Sequence, residues 1–233
     1  MRVLLIIPSY NEELNILNTI NIIRNSKVDV DYIVINDGST DKTSQVCEEN
    51  NIKHINIISN LGIGGAVQTG YKYAYNNNYD IAIQFDGDGQ HDIYSINKLT
   101  EPIINNEADF VIGSRFIENN SNFKSTYLRR VGIKFISFII RIFTRATIYD
   151  TTSGFRACNK KVIEEFMKEY PTEYPEPISI VTLLNKGYIV KEVAAKMNER
   201  VKGKSSINTY RSIYYMINIM FSIIIVSIRR KKK

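Results

Sequence analysis

The feature that most constrains the fold is an alternation, over the first 115 residues, of short apolar runs with longer mixed stretches. The runs are rich in β-branched residues and apolar at consecutive positions, which is typical of strands buried on both faces of a parallel sheet. The predicted strands are 3–7, 32–35, 55–58, 81–85 and 110–112, and the predicted helices are 12–25, 41–50, 63–76 and 93–105. Pro102 should end or kink the last helix. The alternation predicts a doubly wound α/β sheet.

Chemically rich segments follow four of these predicted strands. They read Pro8-Ser-Tyr-Asn-Glu12, Asn36-Asp-Gly-Ser-Thr-Asp41, Asp86-Gly-Asp-Gly-Gln-His-Asp92 and Gly113-Ser-Arg115. Ligands of open α/β sheets bind beyond the carboxyl ends of the strands. We therefore expect the four segments to converge on one edge of the sheet and to form the functional site.

The third segment has the composition of a cation site. Asp86 and Asp88 are two residues apart at a strand end, so their side chains should point the same way. Mg²⁺ is bound by one or two carboxylates together with substrate phosphates, and Gln90 adds a carbonyl oxygen to the predicted metal ligands. Gly87 lets a ligand approach the backbone closely. A polar turn without an ion is the alternative interpretation, and His91 is more often structural than catalytic at such a place.

The other candidates suit a nucleotide. Asp37 follows the second strand, where a carboxylate can accept a hydrogen bond from a base imide or a ribose hydroxyl. The glycine-rich segment 60–66 lacks a Walker lysine and full Gly-x-Gly-x-x-Gly spacing, so we interpret it mainly as close backbone packing rather than as a phosphate loop. A departing diphosphate needs its charge balanced, and the cationic candidates are Arg115, Arg156, Arg200, Lys202 and Lys204.

The charge of the chain is divided unevenly. Residues 1–120 carry 8 Lys and Arg against 16 Asp and Glu, whereas residues 121–233 carry 22 against 8. An acidic half without base-stacking motifs argues against a nucleic-acid-binding protein. A basic half rich in Ile, Phe and Tyr suits an anionic membrane surface, with a solvated basic face as the alternative. Two cysteines without a Cys-x-x-Cys motif predict a cytoplasmic protein.

Two apolar helices are predicted in the second half. Residues 127–148 carry a stripe of polar side chains at helical spacing, which predicts either an in-plane interfacial helix or a half-buried core helix; the stripe is Arg130, Lys134, Ser137, Arg141 and Arg145. Residues 212–228 are uncharged and precede the basic tail 229–233. A spanning helix needs about 20 apolar residues, so we expect this helix to lie on the membrane; a short true span is the alternative. Its exposed face also suits self-association into a homo-oligomer.

Seven motifs in this order resemble the family 2 glycosyltransferases, which have the GT-A fold: a Rossmann-like, mostly parallel sheet flanked by helices. Within the family the resemblance is to dolichol-phosphate mannose synthases and bacterial polyprenyl-phosphate sugar transferases. The motifs are Pro8-Ser-Tyr-Asn-Glu12, Asn36-Asp-Gly-Ser-Thr-Asp-Lys-Thr43, Asn60-Leu-Gly-Ile-Gly64, Asp86-Gly-Asp-Gly-Gln-His91, Gly113-Ser-Arg115, Ser153-Gly-Phe-Arg156 and Glu199-Arg-Val-Lys-Gly-Lys-Ser205, and they cover residues 3 to about 206.

The resemblance implies roles for particular residues. The nucleoside of a UDP-, GDP- or dTDP-sugar would be held by Pro8, Tyr10, Glu12, Ile35 and Asp37. The ribose, diphosphate and Mg²⁺ or Mn²⁺ would be held by Asp86, Gly87, Asp88 and Gln90. Arg115 and Arg200 would contact phosphates or the acceptor, with Arg115, Arg200, Asp88 and Glu176 forming the catalytic set. Lys204 would replace a lysine that the synthases carry where this chain has Ser206.

The acceptor is predicted from a carboxylate pair of the family pattern that this chain lacks. Many family members that glycosylate a hydroxyl carry a Glu-Asp pair before the last apolar helix, but here Glu176 is the only carboxylate in 174–178. A hydroxyl needs a general base, whereas a lipid phosphate is already anionic. We therefore expect an inverting transfer of a hexose to a polyprenyl phosphate at the inner face of the cell membrane. The alternatives are transfer to a hydroxyl of a lipid-linked glycan, with Glu176 as base, and a non-catalytic binding module.

The predicted domain division follows from the same evidence. Residues 1–206 form the GT-A catalytic domain, with a nucleotide-sugar half at 1–115 and an acceptor half at 116–206. Residues 207–233 form the apolar helix with its basic tail.

Overall fold

The computed structural model describes residues 1–117, 127–197 and 209–230. Within these ranges the strands form one seven-stranded sheet, in the order β3-β2-β1-β4-β6-β5-β7. Six strands are parallel, and β6 runs antiparallel to both of its neighbours. The strands are β1 (Val3–Ser9), β2 (Asp31–Asn36), β3 (His54–Asn56), β4 (Ile81–Gln84), β5 (Phe110–Ser114), β6 (Arg156–Asn159) and β7 (Val190–Ala194). The predicted mostly parallel sheet flanked by helices is confirmed.

Helices cover both faces of the sheet. They are α1 (Ile16–Asn25), α2 (Thr43–Glu49), α3 (Gly62–Asn76), α4 (Ile96–Ile104), α5 (Tyr127–Thr144), α6 (Lys160–Lys168), α7 (Pro175–Lys186) and α8 (Thr209–Arg230), with a 3-10 turn at Ile93–Ser95 before α4. The helix predicted at 12–25 begins later, because residues 12–15 form a separate turn in which the Glu12 carbonyl accepts from the Asn15 and Ile16 amides. Pro102 lies in α4, which ends two residues beyond it.

The core has two layers because successive strand residues face opposite sides of the sheet. Leu4 and Ile6 of β1 pack into the layer that contains α3, α5, α6, α7 and α8. Leu5 and Ile7 pack into the layer that contains α1, α2 and α4. All four side chains are fully buried, and burying each of them stabilises the fold by about 1.5–3 kcal/mol relative to leaving it in water.

Strand β6 brings the second half of the chain to the functional edge. It pairs with β4 and β5 in antiparallel register, with Arg156 opposite both Gln84 and Ile112. Since β6 runs against its neighbours, its first residue lies where theirs end. The segment 150–155 that precedes it is therefore delivered to the carboxyl ends of the parallel strands.

Helices α5 and α8 pack against each other and against α7, and each leaves an apolar face exposed. Among the side chains that the structure describes, the exposed apolar ones are Val131, Phe135, Phe138, Ile142 and Phe143 on α5, and Ile217, Phe221, Ile225 and Ile228 on α8. We call these nine side chains the α5–α8 face. Arg130, Lys134 and Arg141 of the predicted stripe are exposed on α5, Ser137 is half-buried and Arg145 lies beyond the helix. Among the helices described, none is long and apolar enough to cross a membrane.

Candidate active site

A cavity of about 430 Å³ lies beyond the carboxyl ends of β1, β2 and β4, where the sequence predicts the site. Eight predicted residues line it: Pro8, Tyr10, Glu12, Asp37, Asp86, Gly87, Asp88 and Glu176. It is also lined by Ser9, Asn60, Gly62, Ile63, Ala66, Gln84, Thr152 and Gly154. A second cavity, of about 360 Å³ between α4 and β7, contains none of the predicted site residues. The four predicted segments therefore do not contribute equally: three line the cavity directly, and Gly113-Ser-Arg115 does not.

Asp37 and Tyr10 offer two kinds of contact to a nucleoside. Tyr10 is 48% exposed, so its ring is accessible for stacking, whereas Asp37 is 3% exposed. The Leu61 amide donates to Oδ1 of Asp37 over 2.8 Å, which orients the carboxylate at the end of β2. Ile35, predicted to hold the nucleoside, is fully buried in the core layer of α3 and does not line the cavity.

The glycine-rich segment serves packing. A Cβ at Gly64 would lie 2.3 Å from the Pro171 carbonyl oxygen, and a Cβ at Gly38, where φ is +66°, would lie 2.7 Å from the Asn60 amide nitrogen. These glycines let the start of α3 and the end of β2 approach neighbouring backbone. The contacts support the interpretation of 60–66 as close packing beside the site.

Asp86 and Asp88 both line the cavity, but not through strand alternation. Strand β4 ends at Gln84, and the two aspartates lie in the turn that follows, where Gly89 has φ +78°. The Gln90 amide donates to Oδ1 of Asp88 over 3.1 Å. The Gln90 side chain is not part of the cavity lining, so its role as a metal ligand stays a prediction.

His91 supports this turn from below. Its ring is stacked on Phe155 with centroids 4.6 Å apart, and its Nδ1 accepts the Asp86 amide over 3.0 Å. Burial lowers the pKa of His91 to about 3, so the imidazole is neutral near pH 7 and able to accept that hydrogen bond. This agrees with the structural interpretation of His91.

The acidic pair suits a hard divalent cation. No group of three or more His, Cys, Asp or Glu side chains with metal-binding geometry occurs within residues 1–117, 127–197 and 209–230. Two carboxylates are nevertheless the protein ligands that Mg²⁺ or Mn²⁺ needs when substrate phosphates and water complete the shell. A Cβ at Gly154 would lie 3.2 Å from both Asp86 carboxylate oxygens, so the glycine keeps the approach to Asp86 open.

Arg115 lies beside the site in a buried ion pair. Its Nε and Nη2 donate to Asp150 over 2.7 Å each, and Nη2 also donates to Thr152 over 2.9 Å. Arg115 is 6% exposed and Asp150 is fully buried. The guanidinium therefore holds the segment 150–152, of which Thr152 lines the cavity, rather than lining the cavity itself.

Glu176 lines the cavity from the first turn of α7. The fully buried Arg156 donates to the Glu176 carbonyl over 2.8 Å and to the Ser179 hydroxyl over 2.9 Å, which ties β6 to the first turn of α7. Burial raises the pKa of the Glu176 carboxyl, and the Arg156 guanidinium partly opposes this shift. A carboxylate with a raised pKa is a better proton acceptor.

Some predictions fall outside the described ranges, and some lining residues were missed. Arg200, Lys202 and Lys204 lie outside the described residues. Gln84 was missed because it lies inside the otherwise apolar run 81–85, although an amide inside a buried strand is itself a signal. Gly154 belongs to a motif noticed for Arg156, but only β6 pairing shows that the glycine faces Asp86.

Comparisons with known proteins agree with this geometry. A family model described as "Glycosyl transferase family 2" matches residues 4–167. The UDP-N-acetylglucosamine–dolichyl-phosphate N-acetylglucosaminyltransferase of Methanococcus voltae is 34% identical, over 91% of this chain and 87% of that protein. The polyprenol monophosphomannose synthase of Mycolicibacterium smegmatis is 26% identical, over 89% and 81%.

A solved structure shares the fold. Glucosyl-3-phosphoglycerate synthase of Mycobacterium tuberculosis, solved with Mn²⁺, uridine diphosphate and phosphoglyceric acid, superposes with a TM-score of 0.72 at 16% identity. The match covers 97% of this chain and 78% of that one. The GT-A architecture expected from the sequence is confirmed.

Proposed function

This chain belongs to glycosyltransferase family 2, and from that premise we propose that it transfers a hexose from a nucleotide-sugar to a polyprenyl phosphate at the cytoplasmic face of the membrane. The observation that carries the donor half of the proposal is the cavity itself. One cavity is lined both by Tyr10 and Asp37, which suit a nucleoside, and by the acidic pair Asp86 and Asp88. The names of the Methanococcus and Mycolicibacterium relatives, both transferases to lipid phosphates, support the acceptor half.

The proposed reaction is a single displacement with inversion. An oxygen of the lipid phosphate attacks the anomeric carbon, the bond from that carbon to the diphosphate oxygen breaks, and the nucleoside diphosphate leaves with the electron pair. Asp37 and Tyr10 would hold the nucleoside, and the segment positioned by Arg115 would border the reacting groups. A cation held by Asp86 and Asp88 would offset the negative charge on the leaving diphosphate.

The proposed location rests on the second half of the chain. The α5–α8 face is apolar and flanked by the exposed cations Arg130, Lys134 and Arg141, a combination suited to anionic lipid surfaces. Both cysteines, Cys47 and Cys158, are free and buried, as expected in a reducing compartment. In this proposal residues 1–206 carry out the reaction, and 207–233 help to hold the protein on the membrane.

One observation favours a second acceptor class. Glu176 lines the cavity and has a raised pKa, so it meets the two requirements of a general base. A hydroxyl of a lipid-linked glycan is the alternative acceptor, since a hydroxyl has to lose its proton during attack.

The first experiment measures release of nucleoside diphosphate from UDP-, GDP- and dTDP-sugars in Mg²⁺ or Mn²⁺, with and without a short-chain polyprenyl phosphate. We expect one donor to be used, with release stimulated by the lipid phosphate. Asp88→Ala should lower this rate at least about 100-fold, because the leaving diphosphate loses its main electrostatic support. Asp29→Ala, at an exposed aspartate, is the control. Release that the lipid phosphate does not stimulate would contradict the proposed acceptor.

A second experiment separates the two acceptor classes. Glu176→Gln removes a proton acceptor from the cavity and should leave transfer to polyprenyl phosphate within about threefold of wild type, because that acceptor is already ionised. Glu173→Gln, three residues earlier and exposed, is the matched control. Loss of turnover in Glu176→Gln with intact donor binding would favour the hydroxyl acceptor.

A further inference from the structure

The floor of the cavity contains a buried amide oxygen that has no partner among the residues that the structure describes. Gln84 is the last residue of β4 and is 1% exposed, yet it lines the cavity. Its Oε1 has no hydrogen-bond partner among the described residues. A buried polar atom normally has a partner, and leaving one unsatisfied is costly. The missing partner is therefore expected to be a molecule that occupies the cavity.

The surroundings of Gln84 show which way the amide faces. Gln84 lies on the same side of the sheet as Ala82, which packs in the layer of α3 and α7. A Cβ at Gly154 would lie 3.1 Å from Nε2 of Gln84 and 3.2 Å from both carboxylate oxygens of Asp86. The amide and the carboxylate thus border the same gap, which is open because residue 154 has no side chain.

The order of the strands places this gap relative to the nucleotide. From β2 across β1 and β4 to β6, the cavity presents first Asp37, then Pro8, then Gln84, Asp86 and Asp88 at the end of β4, and finally Gly154 before β6. Asp37 suits the base, and the acidic pair suits the diphosphate. The group attached beyond the diphosphate is the sugar, which falls at the Gly154 end, in the gap that the Gln84 amide borders.

We propose that Gln84 is a specificity-determining residue that binds the donor sugar, its side-chain amide forming a hydrogen bond with one hydroxyl or amide group of the sugar. The proposal rests on the proposed function only for the identity of the ligand as a nucleotide-sugar. An amide suits this role because it both accepts and donates, as sugar hydroxyls do. A site built to bond a substrate hydroxyl discriminates strongly against an analogue that lacks it.

The test uses equilibrium binding, so that it does not depend on transfer. Dissociation constants are measured, with Mn²⁺, for nucleoside diphosphate, for the nucleotide-sugar of the UDP-, GDP- and dTDP-series that binds best, and for its monodeoxy or deacetylated analogues. Wild-type protein should bind one analogue about 10- to 100-fold more weakly than the parent sugar. Gln84→Met should weaken the parent by a similar factor, weaken that analogue no further, and leave nucleoside diphosphate within about twofold.

Each contrary result has a definite meaning. Equal binding of all analogues by wild-type protein would overturn the proposal even if Gln84→Met failed to fold. So would a Gln84→Met variant that weakens every analogue and the nucleoside diphosphate by the same factor, since that is the behaviour of a structural residue. Gln68→Met, at a glutamine on α3 outside the cavity lining, is the matched control. Sugar-selective binding without transfer to any polyprenyl phosphate would refute the proposed acceptor and leave Gln84 supported.

Discussion

At the scale of single residues, the site depends on two residues that support Asp86 without offering a side chain to the substrate. His91 is 3% exposed, and its Nδ1 accepts a hydrogen bond from the Asp86 amide. Gly154 has no side chain, so the space beside the Asp86 carboxylate stays open. Both act on Asp86, one by holding its backbone and the other by leaving its carboxylate accessible. Such supporting residues decide whether the acidic pair can hold a cation and a diphosphate.

His91 should give the protein a specific sensitivity to acid. Its pKa falls from an ordinary 6.5 to about 3 in the folded state, so the unfolded chain binds the proton first. His91 therefore does not reduce the free energy of unfolding above pH 6.5. Below pH 6.5 its protonation in the unfolded chain lowers that free energy by about 1.4 kcal/mol per pH unit, down to about pH 3. We expect His91→Asn to be less stable at pH 7 but to lose less further stability between pH 6.5 and 5.

Urea unfolding at several pH values checks this prediction. His54→Asn, at the other histidine of the chain, is the control. Parallel curves for wild type and His91→Asn would show that His91 does not enter the native state uncharged.

Gly154→Ala should damage ligand binding more than folding. Its Cβ would lie about 3.1–3.2 Å from Gln84 Nε2 and the Asp86 carboxylate, so it would occupy the gap that we assign to the ligand. We expect nucleotide-sugar binding, measured by calorimetry with Mn²⁺, to weaken at least about tenfold. Gly187→Ala gives the opposite pattern, because Gly187 has φ +86° with open space around it; we expect a stability loss of about 1 kcal/mol and unchanged binding.

At the scale of secondary-structure elements, a hydrogen-bond network, buried at the Arg115–Asp150 pair, joins β5, β7 and the segment before β6. Arg115 at the end of β5 bonds the Asp150 carboxylate, and Glu192 of β7 accepts the Tyr149 and Asp150 amides over 2.7 Å each. These bonds from β5 and β7 hold residues 149–152, and so position the segment that carries Thr152 and Gly154 into the cavity. Arg115 is in this respect a positioning residue.

Asp150→Ala should destabilise the protein by about 3–5 kcal/mol, because removing one partner of a buried pair leaves the Arg115 charge uncompensated. The exposed pair Glu164–Lys168 on α6, at 2.7 Å, is the comparison, and Glu164→Ala should cost less than about 1 kcal/mol. Urea denaturation measures both. Similar losses in the two variants would mean that the Arg115–Asp150 pair is no more than a surface salt bridge in its energetics.

At the scale of the whole molecule, the two core layers have different outer surfaces. Helices α5 and α8, in one layer, expose the nine apolar side chains of the α5–α8 face, while α1, in the other layer, exposes Ile22 as a single apolar residue at 42%. The cavity and the α5–α8 face thus belong to the same sheet structure, and the apolar face lies on one of its two layers.

Phe138→Asp should reduce binding to vesicles of phosphatidylglycerol, because it places a charge on the most exposed phenylalanine of the α5–α8 face, at 61%. We expect at least a tenfold weaker partition in co-sedimentation, with donor binding unchanged. Ile22→Asp on the opposite layer is the matched control and should bind vesicles like wild type. Equal partition of Phe138→Asp and wild type would contradict the assigned membrane face.

The periodicity of apolar residues was enough to predict β1 to β5, the helices between them and the edge where the site lies. This succeeded because strands buried on both faces and helices packed on one face leave patterns that are local in the sequence. Residues at or just beyond the ends of such strands, among them Pro8, Asp37 and Asp88, could be assigned to the cavity from their position in the sequence.

The tertiary structure decided what depends on contacts between distant segments. The antiparallel direction of β6 brings Gly154 against Asp86 across 68 positions of sequence, and no local pattern encodes that approach. Folding also brings Arg115 onto Asp150 and leaves Oε1 of Gln84 without a partner among the described residues. Whether a charged or polar group serves the substrate or the fold is set by which partners surround it, and those partners meet only when the chain is folded.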